Sequence, residues 1–195
     1  GGNGQLGSGN TDDLGDSPSE TGDGLPTVSL GSGRTAVEVA CGGEHTCVIL
    51  DDATLKCFGN GGNGQLGSGN TDDLGDSPSE TGDGLPVVDL GSGRTARRVQ
   101  AGAMSTCVIL DDGTLKCLGF GNQGRLGSGS TATIGDTFSE TGDGIPVVDL
   151  ATNKKAVQVS MGVVQDPVEV RAHVCVVLDD ATLKCFGAGN SGRLG

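Results

Sequence analysis

Apolar residues along this chain fall in short runs parted by polar, glycine-rich turns. The clearest run returns three times, as CVILDDATLKC at 47–57, CVILDDGTLKC at 107–117 and CVVLDDATLKC at 175–185. Each copy sets two apolar stretches about an Asp-Asp-Ala or Asp-Asp-Gly centre, which predicts a β-hairpin with a three-residue loop. Pairing Leu50 with Thr54 across that loop places Ile49 opposite Leu55, Val48 opposite Lys56 and Cys47 opposite Cys57. In a hairpin closed by a type I turn and a G1 bulge, the pair at the loop is hydrogen-bonded and the pairs alternate outward. The two cysteines then take a non-hydrogen-bonded site with Cα atoms about 4.5 Å apart, a distance that a disulfide can span. The bulge position favours a left-handed backbone, which suits Gly113 and strains Ala53 and Ala181.

The whole chain repeats. GGNGQLGSGNTDDLGDSPSETGDGLP fills 1–26 and returns unchanged at 61–86, and GSTATIGDTFSETGDGIPVVDL at 129–150 is a diverged third copy. Gly7, Gly67 and Gly127 recur every 60 residues, and the next equivalent, Gly195, comes 68 residues later. The excess is VVQDPVEV, residues 163–170, an expected loop insertion between two predicted strands. Within a period we read four β segments, at 85–90, 97–101, 106–110 and 114–118. Four antiparallel strands at a fixed period predict an all-β propeller blade, with a solenoid as the alternative. The units are 1–67, 68–127 and 128–195, the last carrying the insertion, and together they form one partial propeller domain. Residues 67–84 are polar and acidic and read as a long surface loop.

Composition narrows what this architecture can do. With 38 glycines, four Phe and neither Trp nor Tyr in 195 residues, the core must be built from Leu, Val and Ile. A formal charge of -13 argues against wrapping nucleic acid, which needs clustered Lys and Arg. No apolar run approaches a membrane span, and there is no starting Met or signal peptide, so the chain reads as a mature piece or a fragment.

The cysteines admit three readings. A redox site normally shows a C-x-x-C, which is absent. Zinc has a set of ligands in the first copy, Cys41, His45, Cys47 and Cys57, but Ser105 replaces His45 in the second, and Cys41 is matched by Ala101 and then by Ser160 or Met161. The preferred reading is a structural disulfide in each hairpin, Cys47–Cys57, Cys107–Cys117 and Cys175–Cys185, which favours an extracellular or secreted setting or an oxidising organelle lumen. Cys41 is then left over, as a buried thiol or one with a partner elsewhere.

GGEHTCVILDDATLKCFGNGGNGQLG, residues 42–67, joins a glycine, His-Thr, an apolar strand, an Asp-Asp turn, a second strand and a Gly-rich Gln-Leu-Gly ending. This resembles the repeat of the RCC1 (regulator of chromosome condensation) family, and the resemblance covers all three units. It implies three blades of a seven-bladed β-propeller. The paired cysteines look like the version of the repeat found in bacterial and unicellular algal proteins of exported or uncertain role. The family's usual Trp-Gly is Phe58-Gly59, Leu118-Gly119 and Phe186-Gly187 here, and its following Asn is Gly61, Gly121 and Gly189. Those changes remove an aromatic packing unit from each blade. The resemblance also implies that His45 and His173 are structural side chains packed between blades.

Candidate chemistry is sparse. No nucleophile, base and acid recur at a fixed offset, so no catalytic residue is assigned. Asn70, Asp72, Asp73, Asp76, Glu80 and Asp83 are oxygen ligands that calcium could use, but their spacing is not that of an EF-hand loop, and a solvated loop is preferred. No cofactor or metal is expected. RCC1-like members act as exchange factors for small GTPases, as enzyme inhibitors and as interaction modules. The leading expectation is a non-enzymatic scaffold that binds protein partners, as a peripheral subunit of a larger assembly. A GTPase regulator and a cell-surface ligand binder are the alternatives. The binding residues are expected in the insertion, Val163, Val164, Asp166, Pro167, Val168, Glu169 and Val170, because rigid scaffolds present recognition loops. Three units would leave two open sheet faces, so further blades from a longer chain or another copy are expected as well.

Overall fold

The fold is set by its turns. In the computed structural model, which describes residues 1–165, 170–189, 192 and 194, each Asp-Asp hairpin loop is closed from within. The Asp52 carboxylate accepts from the Thr54 amide at 3.1 Å and from the Thr54 hydroxyl at 2.6 Å. Asp112 with Thr114 and Asp180 with Thr182 repeat the arrangement. Such local side-chain bonds favour a turn over continued strand. These donors, with Arg34 nearby, hold the Asp52 carboxyl below its usual range.

The bulge residue has positive φ in all three loops: 61° at Ala53, 83° at Gly113 and 64° at Ala181. A left-handed backbone costs an L-residue about 1–2 kcal/mol, while glycine gives back part of the difference through its freer unfolded chain. Ala53→Gly and Ala181→Gly should therefore each stabilise the protein by about 0.5–1 kcal/mol. Urea titration of the double variant checks this; an unchanged or lower midpoint would contradict it.

Nine strands form three antiparallel sheets, each in sequence order, among the described residues. The first holds β1 (Ala36–Cys41), β2 (His45–Leu50) and β3 (Leu55–Gly59); the second holds β4 (Ala96–Ala101), β5 (Ser105–Leu110) and β6 (Leu115–Gly119). The third holds β7 (Ala156–Gln165), β8 (Val170–Leu178) and β9 (Leu183–Gly187). The hairpin register is the one the turn dictates, with Cys47 opposite Cys57, Cys107 opposite Cys117 and Cys175 opposite Cys185. Each facing pair is a disulfide with its Cα atoms 4.1 Å apart.

Three strands, not four, make each sheet. Residues 85–90 lie beside β3 of the preceding sheet, where the Val88 amide donates to the Leu55 carbonyl at 2.8 Å. Residues 145–150 treat β6 in the same way, through Val148 and Leu115 at 2.8 Å and a single bridge between Lys116 and Val147. Pro86 and Pro146 have no N–H to donate, which helps keep these segments from growing into full strands. The fourth element of the first and second sheets is thus a weakly laddered segment lent by the next repeat, and it stitches consecutive sheets together.

Neighbouring sheets also pack face to face. β4 lies against β1 and β2, and β7 lies against β4 and β5. Between the first two sheets, Cys47, Cys57, Ile49 and Leu55 meet Val88, Val99 and Ala101 in one apolar cluster. Between the second and third, Cys107, Cys117, Ile109 and Leu115 meet Val148, Ala156 and Val159. The first two disulfides therefore sit inside the inter-sheet core.

The ends of the row differ from its middle. Val39 is 60% exposed, whereas its equivalents Val99 and Val159 are 5% and 7% exposed. At the other end Leu183 is 62% exposed, against 0% for both Leu55 and Leu115. The same residue type in the same strand register is covered wherever a neighbouring sheet is present and bare where none is.

Candidate interaction surface

One rim of the row is formed by the turns joining the first and second strand of each sheet. In the first sheet the turn is tight: the Gly42 amide donates to the His45 carbonyl at 2.8 Å. The second closes in the same way, Gly102 to Ser105 at 2.8 Å. The two turns touch, since the Gly43 amide donates to the Gly102 carbonyl at 2.9 Å.

The third turn departs from this pattern. Past Gly162 and His173 the ladder continues through Val163 with Ala172, Val164 with Arg171 and Gln165 with Val170. Residues 163–165 and 170, expected within a loop, are therefore strand, and they lengthen a hairpin. The physical reason is in the residue types: β-branched valines stand on both arms, where they favour extended backbone. Of the residues singled out for binding, Val163, Val164 and Val170 belong to this ladder, and Val163 is exposed. Asp166, Pro167, Val168 and Glu169 lie outside the described residues. Sequence spacing gave no sign of this pairing.

His45 is buried at the joint between the first two sheets, its Nε2 2.8 Å from the Thr106 hydroxyl. That hydroxyl donates to the Gln65 carbonyl at 2.8 Å, so it accepts from His45. The proton is thus on Nε2, and Nδ1 is a buried lone pair with no hydrogen-bond partner. Burial pushes the imidazole pKa down to about 4. His173, at the same repeat position, is only half-buried.

The zinc reading is overturned by these contacts: Cys47 and Cys57 are joined, His45 is turned to Thr106, and Cys41 is an exposed free thiol on β1. Cys41 pairs with Thr46 as Ala101 does with Thr106 and Met161 with Val174, which places Met161, not Ser160, at the matching position. The expectation of a buried Cys41 thiol is not met, because its face of β1 belongs to the uncovered end.

The acidic loops satisfy backbone donors rather than converging on a site. Asn70 accepts from the Asp72 amide at 3.1 Å, Asp73 from the Gly61 amide at 2.8 Å and Glu80 from the Gly75 amide at 3.2 Å. Asp83 binds Ser32 of the previous repeat through its amide at 2.8 Å and its hydroxyl at 2.5 Å, which keeps the Asp83 carboxyl below its usual range. Among the described residues no three potential metal ligands gather. The buried Lys56 ammonium donates to the Gly82 carbonyl at 2.7 Å, and Lys116 donates to Leu90 at 3.1 Å and Gly142 at 2.8 Å. These lysines hold the acidic loop of one repeat to the sheet of the previous one, a role that the sequence reading did not foresee. Their signal was an invariant Lys at the centre of each Leu-Lys-Cys strand.

Comparison with known proteins follows this geometry. The family described as "Regulator of chromosome condensation (RCC1) repeat" matches residues 1–49 and 36–65. The chain is 32% identical over 127 residues to the Arabidopsis thaliana "Ultraviolet-B receptor UVR8", which covers 65% of this chain and 25% of that protein. It is 35% identical over 114 residues to the Homo sapiens "X-linked retinitis pigmentosa GTPase regulator", covering 53% of this chain and 10% of that one. The chain thus spans a quarter or less of the length of these relatives. Among solved structures, yeast RCC1 (Prp20) bound to Kap60 superposes with a TM-score of 0.63 at 16% identity, over 86% of this chain and 33% of that one. Human WBSCR16 gives a TM-score of 0.59 at 16% identity, over 100% of this chain and 57% of that one. The likeness is one of fold, that of a β-propeller.

Proposed function

This chain is built of RCC1 repeats, and on that premise we propose that it is a non-enzymatic interaction module whose docking element is the lengthened β7–β8 hairpin. Its units, 1–67, 68–127 and 128–195, are blades of one seven-bladed propeller, to which further blades contribute. The observation that carries the reading is local. Of three equivalent turns on one rim, two are tight and one is built out by three laddered pairs. A paired hairpin loses little entropy on binding, which makes it a better recognition element than a loose loop of equal length. Disulfides within each hairpin are compatible with an oxidising compartment. We place the protein outside the cell or in such a lumen, as a peripheral subunit of a protein assembly. No helix is long and apolar enough to cross a membrane among the described residues.

Deletion of residues 163–170 tests this. It joins Gly162 to Arg171 and leaves a turn of the length found in the first two sheets, so the variant should fold with unchanged stability. Capture of partners by the full-length protein from its own compartment, identified by mass spectrometry, should lose its main partner in the deletion variant. Equal capture by both proteins would sink the assignment of the hairpin.

A second reading, regulation of a small GTPase, is favoured by relatives named as GTPase regulators. It requires that the captured partner be a GTPase and that the protein speed its nucleotide release.

A further inference from the structure

Each sheet has a first strand, β1, β4 or β7, at its edge, and the three edges stand side by side because β4 lies against β1 and β7 against β4. An edge strand turns every second amide out of its sheet. At the step from the first sheet to the second, one such amide is capped by the neighbour. Glu38 on β1 accepts from the Val99 amide through Oε1 at 2.9 Å, and its Oε2 lies 3.4 Å from the Arg98 guanidinium. A single carboxylate thus takes one backbone donor and one side-chain donor of the next sheet.

The step from the second sheet to the third reverses the chemistry of that position. Glu38, Arg98 and Gln158 hold one place in the register, opposite Ile49, Ile109 and Val177, and Val99 and Val159 follow them opposite Val108 and Val176. The amide of the buried Val159 therefore points toward the second sheet as that of Val99 points toward the first. There it meets the position of Arg98, which has donors and no acceptor. Arg98, Gln158 and Val159 line one open groove of about 430 Å³, together with Gln100 and Glu38. Both bonds of the Arg98 guanidinium run from Nη1, to the Arg97 carbonyl at 2.9 Å and to Glu38, so Nε and Nη2 remain to donate. The groove lies between two sheets that are both present, so its donors do not depend on the ends of the row.

We propose that this groove binds a carboxylate, which takes the place that the Glu38 carboxylate holds one step earlier. One oxygen accepts from the Val159 amide and the other from the side-chain amide of Gln158, the counterpart of Arg98 in the first step. Arg98 supplies the positive charge and a further donor. A second negative charge on the ligand would meet Glu38, which favours a carboxylate over a phosphate dianion. A small free acid and an acidic side chain of a partner protein offer the same group.

With isotope-labelled valine in the full-length protein, and the Val159 resonance assigned by its loss in Val159→Ile, sodium acetate should shift the Val159 amide saturably. The shift should exceed that caused by sodium chloride at equal ionic strength, while the Val99 amide, already bonded to Glu38, should stay in place. Arg98→Gln should raise the acetate concentration at half-saturation by about tenfold, through the loss of one charge-assisted hydrogen bond. Arg98→Glu supplies the carboxylate from within, so its Val159 amide should start near the acetate-saturated position and ignore added acetate. A peptide with blocked ends and one Glu among alanines separates the two sources. Half-saturation below that of acetate assigns the groove to an acidic protein segment, and half-saturation at or above it assigns a small free acid. An acetate response no larger than that of chloride, one that Val99 shares, or one that persists in Arg98→Glu would overturn the proposal.

Discussion

Replacing Cys107 and Cys117 by alanine is expected to destabilise the protein by about 3 kcal/mol, and reducing all three bridges should abolish cooperative folding near body temperature. Cross-linking a loop of this size removes about 3 kcal/mol of unfolded-chain entropy. The second disulfide also lies wholly inside the core, among Ile109, Leu115, Val148 and Val159. Losing it would leave the two sulfurs' volume empty in a protein with no Trp or Tyr and four Phe to fill space. The bridges should not reduce together. Cys175 and Cys185 are half-buried at the uncovered third sheet, whereas Cys107 and Cys117 are enclosed. Timed reduction with alkylation and peptide mapping should find Cys175 and Cys185 labelled first among the bridged cysteines, after the free Cys41. Urea unfolding of the double alanine variant gives the energetic effect, and a loss below about 1 kcal/mol would mean that packing, not the cross-link, carries the hairpin.

The hairpins were legible because everything that fixes them is local. An Asp-Asp-x-Thr turn sets the register, the register sets the facing pair, and Cys47 then meets Cys57 without reference to the rest of the chain. The repeat period was equally plain, since residues 1–26 return unaltered at 61–86. What the period does not say is which neighbour a segment leans on. Residues 85–90 have the composition of a strand, yet they attach to the sheet before their own, with Pro86 limiting the ladder. The insertion was misjudged for a similar reason. Its interruption by Asp166-Pro167 suggests a loop, while pairing of Val163 to Gln165 with Val170 to Ala172 depends on an existing hairpin that holds the two arms in register. Two open faces follow from three units of a propeller, but which residues they bare needed the structure, because Val39 and Val99 are the same residue in the same pattern and differ only in what stands beside them.

Acidification should loosen the joint between the first and second sheets through His45. Its imidazole is buried with the pKa pushed down to about 4, against an ordinary value of 6.5 that it would regain on unfolding. A base with a depressed folded pKa is neutral when folded, and below pH 6.5 the unfolded chain takes up a proton that the folded one refuses. Stability from this group is therefore full above pH 6.5, falls as the pH drops toward 4, and is level below that. The loss amounts to about 3 kcal/mol over the window. The geometry explains why the proton is refused. Thr106 gives its own hydrogen to Gln65 and occupies Nε2–H as an acceptor, so an added proton must go to Nδ1, which has no acceptor within reach. Asp52, Asp83 and Asp143 do not blur the window, since serine and threonine donors hold them below their ordinary range and they stay charged across it. His45→Asn keeps a donor toward Thr106 and cannot titrate. The variant should be less stable than the parent at pH 7.5 yet lose little between pH 6.5 and 4.5, while the parent's urea midpoint drops steeply over the same range. Parallel slopes in the two proteins would show that another group sets the acid response.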